Sequence, residues 1–138
     1  MKNLTVAIPV DDGMGMTIFG KRQSSDRVLI ADFMKDHEGK SIYISSFSRR
    51  LFENYDSVNI TDDPINDSCE GGVLFIENIK PSIFIGDVGT LIIYRWNREY
   101  PSDTKFDIDP EKEGFKLISA TDFVGSSHKK ISKEIYIR

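Results

Sequence analysis

Three groups of residues carry side chains able to do chemistry. The first is Arg22-Gln23-Ser24-Ser25-Asp26-Arg27. Asp26 stands directly before a segment with helical spacing. There a carboxylate can be held ionised by the amide donors, or raised in pKa by burial, and so handle a proton. The plainer reading of Asp26 is a helix cap, its oxygen accepting amides that have no partner within the helix. Arg22, Gln23 and Arg27 are donors suited to an anion or a polar ring, or else part of a solvated loop. The second group, Tyr94-Arg95-Trp96-Asn97-Arg98, leaves an apolar strand-like run. Ligands gather at strand ends in open α/β sheets. Trp96 flanked by guanidinium groups could stack on and hydrogen-bond a nucleobase or pterin, or anchor a protein partner. In the competing reading Trp96 closes the sheet edge and the arginines pair with Asp103 or Glu99. The third group is Gly125-Ser126-Ser127-His128, a hydroxyl beside an imidazole. Adjacency alone does not make a nucleophile and base, because an orienting acid and an oxyanion site are also required. It reads as a polar turn.

Several function classes are disfavoured. A single cysteine, Cys69, allows no intramolecular disulfide and no cysteine cluster for a metal. The turn Asp11-Asp12-Gly13 would need further oxygen ligands to hold a hard cation, and spacing supplies none, so it reads as a surface turn and no metal site is expected. Lys and Arg total 18 against 22 Asp and Glu, a net charge of −4. That balance disfavours a nucleic-acid partner, and the basic pairs Arg49-Arg50 and Lys129-Lys130 read as solvated surface. No apolar run reaches the roughly 18 residues of a membrane span, and Met1-Lys2-Asn3 leads into a short strand-like run rather than a signal peptide, so a cytoplasmic protein without membrane partners is expected.

The elements that must position these groups follow from patterning. At 138 residues the chain suits one domain, 1–138. Residues 4–10 and 91–96 are apolar runs of strand length, as in a largely parallel sheet with helices on both faces. Between them a helix opens at Ser25 or Asp26, buries Val28, Leu29 and Phe33, and stops near Gly39. A strand at Ser41–Ile44, a short helix through Arg49-Arg50-Leu51-Phe52 and a strand at Ser57–Ile60 come next. Residues 61–72 form a surface loop. A strand at Val73–Glu77 precedes one or two helical turns over Lys80–Ile85, and the chain returns through Gly86–Gly89 into a strand at Thr90–Arg95. The βαβαβ order argues an α/β sheet with right-handed crossovers.

Both ends resemble dihydrofolate reductases. Leu4-Thr5-Val6-Ala7-Ile8-Pro9-Val10-Asp11 followed by Gly15-Met16 is similar to that family's first strand and turn. Asp103-Thr104-Lys105-Phe106, then Phe115-Lys116-Leu117-Ile118 and the closing run Ile131–Arg138, is similar to its C-terminal segment. The resemblance implies a mixed, mostly parallel sheet flanked by helices, with an antiparallel C-terminal strand. It makes Asp26 the counterpart of the carboxylate that binds the pterin ring and assists protonation. The family's phosphate-holding G-R-x-T segment is replaced by Ser45-Ser46-Phe47-Ser48. Its paired glycines after a later strand are replaced by Glu77-Asn78, and Gly71-Gly72 lies at the other end of that strand. Roughly one strand and helix of the nucleotide half are missing, so no normal NADPH binding is expected and no cofactor is assigned. Arg22-Gln23-Ser24, Tyr94–Arg98 with Tyr100-Pro101, and Gly125–His128 also resemble small bacterial proteins labelled ribonuclease Z. That nuclease needs an H-x-H-x-D-H cluster for two zinc ions, and only His37 and His128 are present here.

The expectation is a shortened reductase-like domain that binds a pterin- or nucleotide-like molecule or a protein partner. Its cleft would lie between Asp26 and the Tyr94–Arg98 strand end, lined by Arg22, Gln23, Arg27, Tyr94, Arg95, Trp96 and Arg98. An atypical pterin reductase using Asp26, and a small acidic inhibitor or regulator, are the alternatives.

Overall fold

The two most apolar runs form the centre of a seven-stranded sheet. The computed structural model describes residues 2–138. Its strands are β1 (Leu4–Val10), β2 (Gly15–Ile18), β3 (Lys21–Arg22), β4 (Ile42–Ile44), β5 (Val58–Ile60), β6 (Val73–Phe75), β7 (Val88–Arg95), β8 (Thr104–Lys105), β9 (Lys116–Phe123) and β10 (Ile131–Ile137). Helix α1 spans Arg27–Asp36, and α2, Pro64–Asp67, is a single turn. The main sheet has the order β5-β4-β6-β1-β7-β10-β9, and β3-β2-β8 form a small second sheet. β1 lies parallel between β6 and β7. The last strand, β10, runs antiparallel to both β7 and β9. The expected mixed, mostly parallel sheet with an antiparallel C-terminal strand is therefore present.

The period-two geometry of a strand divides the core in two. Leu4, Val6, Ile8 and Val10 of β1 join Leu91 and Ile93 of β7 on one face. Ala7, Ile92 and Tyr94 point to the other, where α1 lies. Helix α1 delivers Leu29, Ile30, Phe33 and Met34 to that face, while Val28 is 38% exposed. The apolar stripe is thus one step round the helix from the expected Val28, Leu29 and Phe33. Helical cover is unequal. The far face is closed by Ile65 of α2, by Ile85 and Phe84 at two 3₁₀ turns, Pro81–Ile83 and Ile85–Asp87, by Phe106 after β8 and by Phe115 before β9.

Smaller differences have local causes. The expected helix at Arg49–Phe52 is a 3₁₀ helix over Ser46–Phe52. The expected surface loop at 61–72 contains α2, because the Asp63 side chain accepts the Asn66 amide and Pro64 occupies the first turn. Pro9 is tolerated in a central strand because β6 has ended beside it. Thr5 N donates to Gly72 O and Ile76 N to Ala7 O, so the odd residues of β1 face β6. β6 pairs only with Thr5–Ala7, and the hydrogen that Pro9 lacks has no partner to lose.

Phe33 is fully buried, with its ring centroid 6.0 Å from Phe52 and 5.3 Å from Phe75. Phe33→Ala should cost roughly 3–5 kcal/mol in urea unfolding, and Val28→Ala less than about 1 kcal/mol. Equal losses would contradict the observed orientation of α1.

Candidate functional site

The carboxyl ends of β1, β4, β6 and β7 share one edge of the sheet, and the chemistry-bearing residues gather there. Three carboxylates, Asp11, Asp26 and Glu77, are almost completely buried along it. An ionised carboxylate withdrawn from water must be compensated by donors or cations. Each of the three is.

Asp26 caps α1, its Oδ1 accepting the Val28 and Leu29 amides at 2.9 and 3.2 Å. The turn between β9 and β10 folds over the same group. The Ser126 amide donates to Oδ1 at 3.0 Å and the Ser127 amide to Oδ2 at 2.9 Å, while Ser127 Oγ lies 3.2 Å from Oδ2. His128 Nδ1 is 3.0 Å from Oδ2, and neither side chain has meaningful exposure. Burial alone would push this carboxyl upward. The Ser126 and Ser127 amides, His128 and the Leu29 amide outweigh it and hold it far below the usual carboxylate range. Beside an ionised Asp26, Nδ1 carries a proton, and in the neutral imidazole Nε2 is then the acceptor. Nε2 lies 3.0 Å from Ser24 Oγ and 2.9 Å from the Tyr100 hydroxyl, and Trp96 stacks on the imidazole with centroids 4.6 Å apart.

Glu77 follows β6. Arg22 grips it through Nε and Nη2 at 2.6 and 2.8 Å, and Ser48 Oγ donates to it at 2.6 Å. Arg22 also donates to the Phe47 carbonyl at 3.0 Å and lies over the Phe47 ring. The guanidinium pKa is raised chiefly by the Glu77 hydrogen bond, against burial. Asp11, expected in a surface turn, is 2% exposed. It accepts the Gly13, Gly15 and Tyr100 amides at 2.9, 2.7 and 2.9 Å, which ties the β1–β2 turn to the segment after β7. Gly15 has no room for a side chain, since a Cβ would lie 2.5 Å from Ser102 Oγ.

The remaining residues of the expected cleft scatter. Tyr94 is buried beneath α1, its hydroxyl 2.7 Å from Asp32, which Lys133 also contacts at 2.8 Å. Burial, then Asp32, pushes that phenol far above its ordinary pKa. Arg95 pairs with Glu134 at 2.8 Å on β10, not with Asp103 or Glu99. Gln23 donates to the Pro101 carbonyl at 3.2 Å. Arg27 is exposed beside a small hollow of about 160 Å³ between α1 and Arg50-Leu51. Trp96 is 4% exposed, and Arg98 lies over the Tyr100 ring. A recess of about 680 Å³ opens at this strand end, bordered by Trp96, Arg98, His128, Lys129 and Lys130 among others. His128 is not legible from sequence as the partner of Asp26 and Ser24, because about 100 residues separate it from both. The Gly-Ser-Ser-His run was the visible signal. Among the described residues no three His, Cys, Asp or Glu side chains converge as a metal site would require, and no helix is long and apolar enough to cross a membrane.

A dihydrofolate reductase from Enterococcus faecalis, solved in complex with NADP(H) and RAB-propyl, superimposes with a TM-score of 0.64. The match covers 100% of this chain and 98% of that one at 13% identity. The fold is dihydrofolate reductase-like. No family model and no curated protein matches the chain. On this reductase-like scaffold the strand-end edge is partly filled by the protein's own ion pairs and carboxylate-bound amides.

Asp26 gives the edge a defined response to acid. Its folded-state pKa lies below the ordinary 3.8, so its contribution is complete above about pH 4 and is lost as pH falls toward the folded value. Asp26→Asn should lose roughly 3 kcal/mol at pH 7 in urea unfolding. The gap to the parent should narrow progressively below about pH 4. A gap independent of pH would contradict the assignment.

Proposed function

We propose that this domain is a binding module on the reductase scaffold, taking a small anionic, nucleotide-like molecule at the Trp96–Lys130 recess without using NADPH as reductases do. One observation carries the reading: Arg22 joins Glu77 and the Phe47-Ser48 segment into one buried network. Those are the two positions at which the resemblance places the dinucleotide-binding motifs. A carboxylate stands where close backbone approach to a nucleotide would need glycine, and the arginine is already committed to it.

The open recess supports the other half of the reading. Arg98, Lys129 and Lys130 bring three cationic side chains to its border on a chain of net charge −4. Trp96 is buried against His128, so recognition there rests on charge and hydrogen bonds more than on ring stacking. The reductase alternative requires Asp26 to face a substrate, whereas its oxygens are met by amides and His128.

Thermal-shift titrations separate these readings. Adenosine monophosphate should raise Tm saturably, and the combined Arg98→Ala and Lys129→Ala variant should weaken its binding about tenfold or more, a change of about 1.4 kcal/mol. NADPH should give no saturable shift beyond that of its phosphate and adenosine fragments. Saturable NADPH stabilisation lost in Arg22 or Asp26 variants would overturn the proposal.

A further inference from the structure

Asp26, His128 and Ser24 form a continuous relay. Asp26 Oδ2 lies 3.0 Å from His128 Nδ1, and His128 Nε2 lies 3.0 Å from Ser24 Oγ. The acid is fully enclosed and ionised, the imidazole is fixed between Asp26 and the face of Trp96, and Ser24 is only partly buried. This is the set of roles that nucleophilic catalysis by serine requires: an orienting carboxylate, a base in the correct tautomer, and a hydroxyl within hydrogen-bond reach of it. The serine adjacent to His128 in sequence, Ser127, does not fill the role. Its Oγ donates to the Ser25 carbonyl at 2.7 Å and sits on the Nδ1 side of the ring. The serine that reaches Nε2 arrives from the other end of the chain.

We propose that Ser24 is a nucleophile toward small esters bearing a carboxylate or phosphate group. Ser24 Oγ attacks the ester carbonyl carbon as its proton passes to His128 Nε2. Collapse of the tetrahedral species breaks the bond to the leaving alcohol, and His128 returns the proton to that oxygen. Water then cleaves the acyl–Ser24 ester by the same route, releasing the acid and restoring the hydroxyl. The Tyr100 hydroxyl lies 2.9 Å from His128 Nε2 and 3.3 Å from Ser24 Oγ, and its single hydrogen would turn from these partners to the carbonyl oxygen as that atom becomes negative. Tyr100 also carries Arg98 over its ring, and His128 borders the recess with Arg98, Lys129 and Lys130. The preference for an anionic ester rests on the binding reading above. The assignment of the nucleophile does not.

The test uses the full chain with a fluorophosphonate probe and two chromogenic esters, neutral 4-nitrophenyl acetate and anionic mono-4-nitrophenyl glutarate. Mass spectrometry should find the phosphonyl group on the peptide containing Ser24. Ser24→Ala, which removes one oxygen at a partly exposed position, should keep the parent's circular dichroism and abolish labelling. It should also lower turnover of both esters at least 100-fold. His128→Gln should lower kcat comparably. A folding failure of that variant leaves Ser24→Ala as the deciding measurement. Arg98→Ala should raise KM for the glutarate by a larger factor than for the acetate. Equal effects on both esters with Ser24 still labelled would overturn the anionic preference alone. No label on Ser24, or ester turnover unchanged in Ser24→Ala, would overturn the nucleophile.

Discussion

Compensation of buried negative charge is the constraint on which the strand-end edge of this protein depends. Moving a carboxylate out of water costs several kcal/mol unless donors replace its hydration, and here three of them are withdrawn within one edge. Each recruits donors from segments distant in sequence. Asp11 binds the β1–β2 turn to the chain after β7, Asp26 binds α1 to the β9–β10 turn, and Glu77 binds β3 and the 3₁₀ helix to the end of β6. The sheet supplies the platform, and these clamps decide which loops close over it.

The same arrangement occupies part of the crevice that a parallel sheet leaves at its strand ends. Parallel strands leave an open crevice beyond their carboxyl ends, where ligands usually sit. In this chain β6 stops beside Ala7, and the space beyond it is taken by Glu77 and Arg22. Beside α1 the corresponding space is taken by Ser126, Ser127 and His128 around Asp26. Space stays open beside His128, where Arg98, Lys129 and Lys130 make the border cationic, and in the small hollow between α1 and Arg50-Leu51. Fold similarity at 13% identity carries the scaffold and not the chemistry placed on it.

Much of the scaffold was legible in the sequence because its signals are local. The apolar runs at 4–10 and 91–96, the cap at Ser25 or Asp26 and the closing alternation at 131–138 each report their own conformation. The two-residue strands β3 and β8 carry no periodicity, and α2 is announced only by Asp63 and Pro64. The site was legible as a set of residue types but not as a set of partners. Asp26 was readable as a cap and as a carboxylate of interest, yet nothing near it in sequence announces Ser126, Ser127 and His128. Arg95 shows the same limit: its acidic neighbours Glu99 and Asp103 were the natural candidates, and cross-strand register delivers Glu134 instead.

Backbone hydrogen exchange at Tyr100, Ser126 and Ser127 tests the clamped edge most directly. These loop amides donate to the buried Asp11 and Asp26 carboxylates and to no backbone acceptor. The account predicts protection comparable to that of amides within the main sheet, lost at Ser126 and Ser127 when Asp26 is replaced by alanine and retained there when Asp11 is. Exchange at the rate of open loop amides in the parent protein would contradict it.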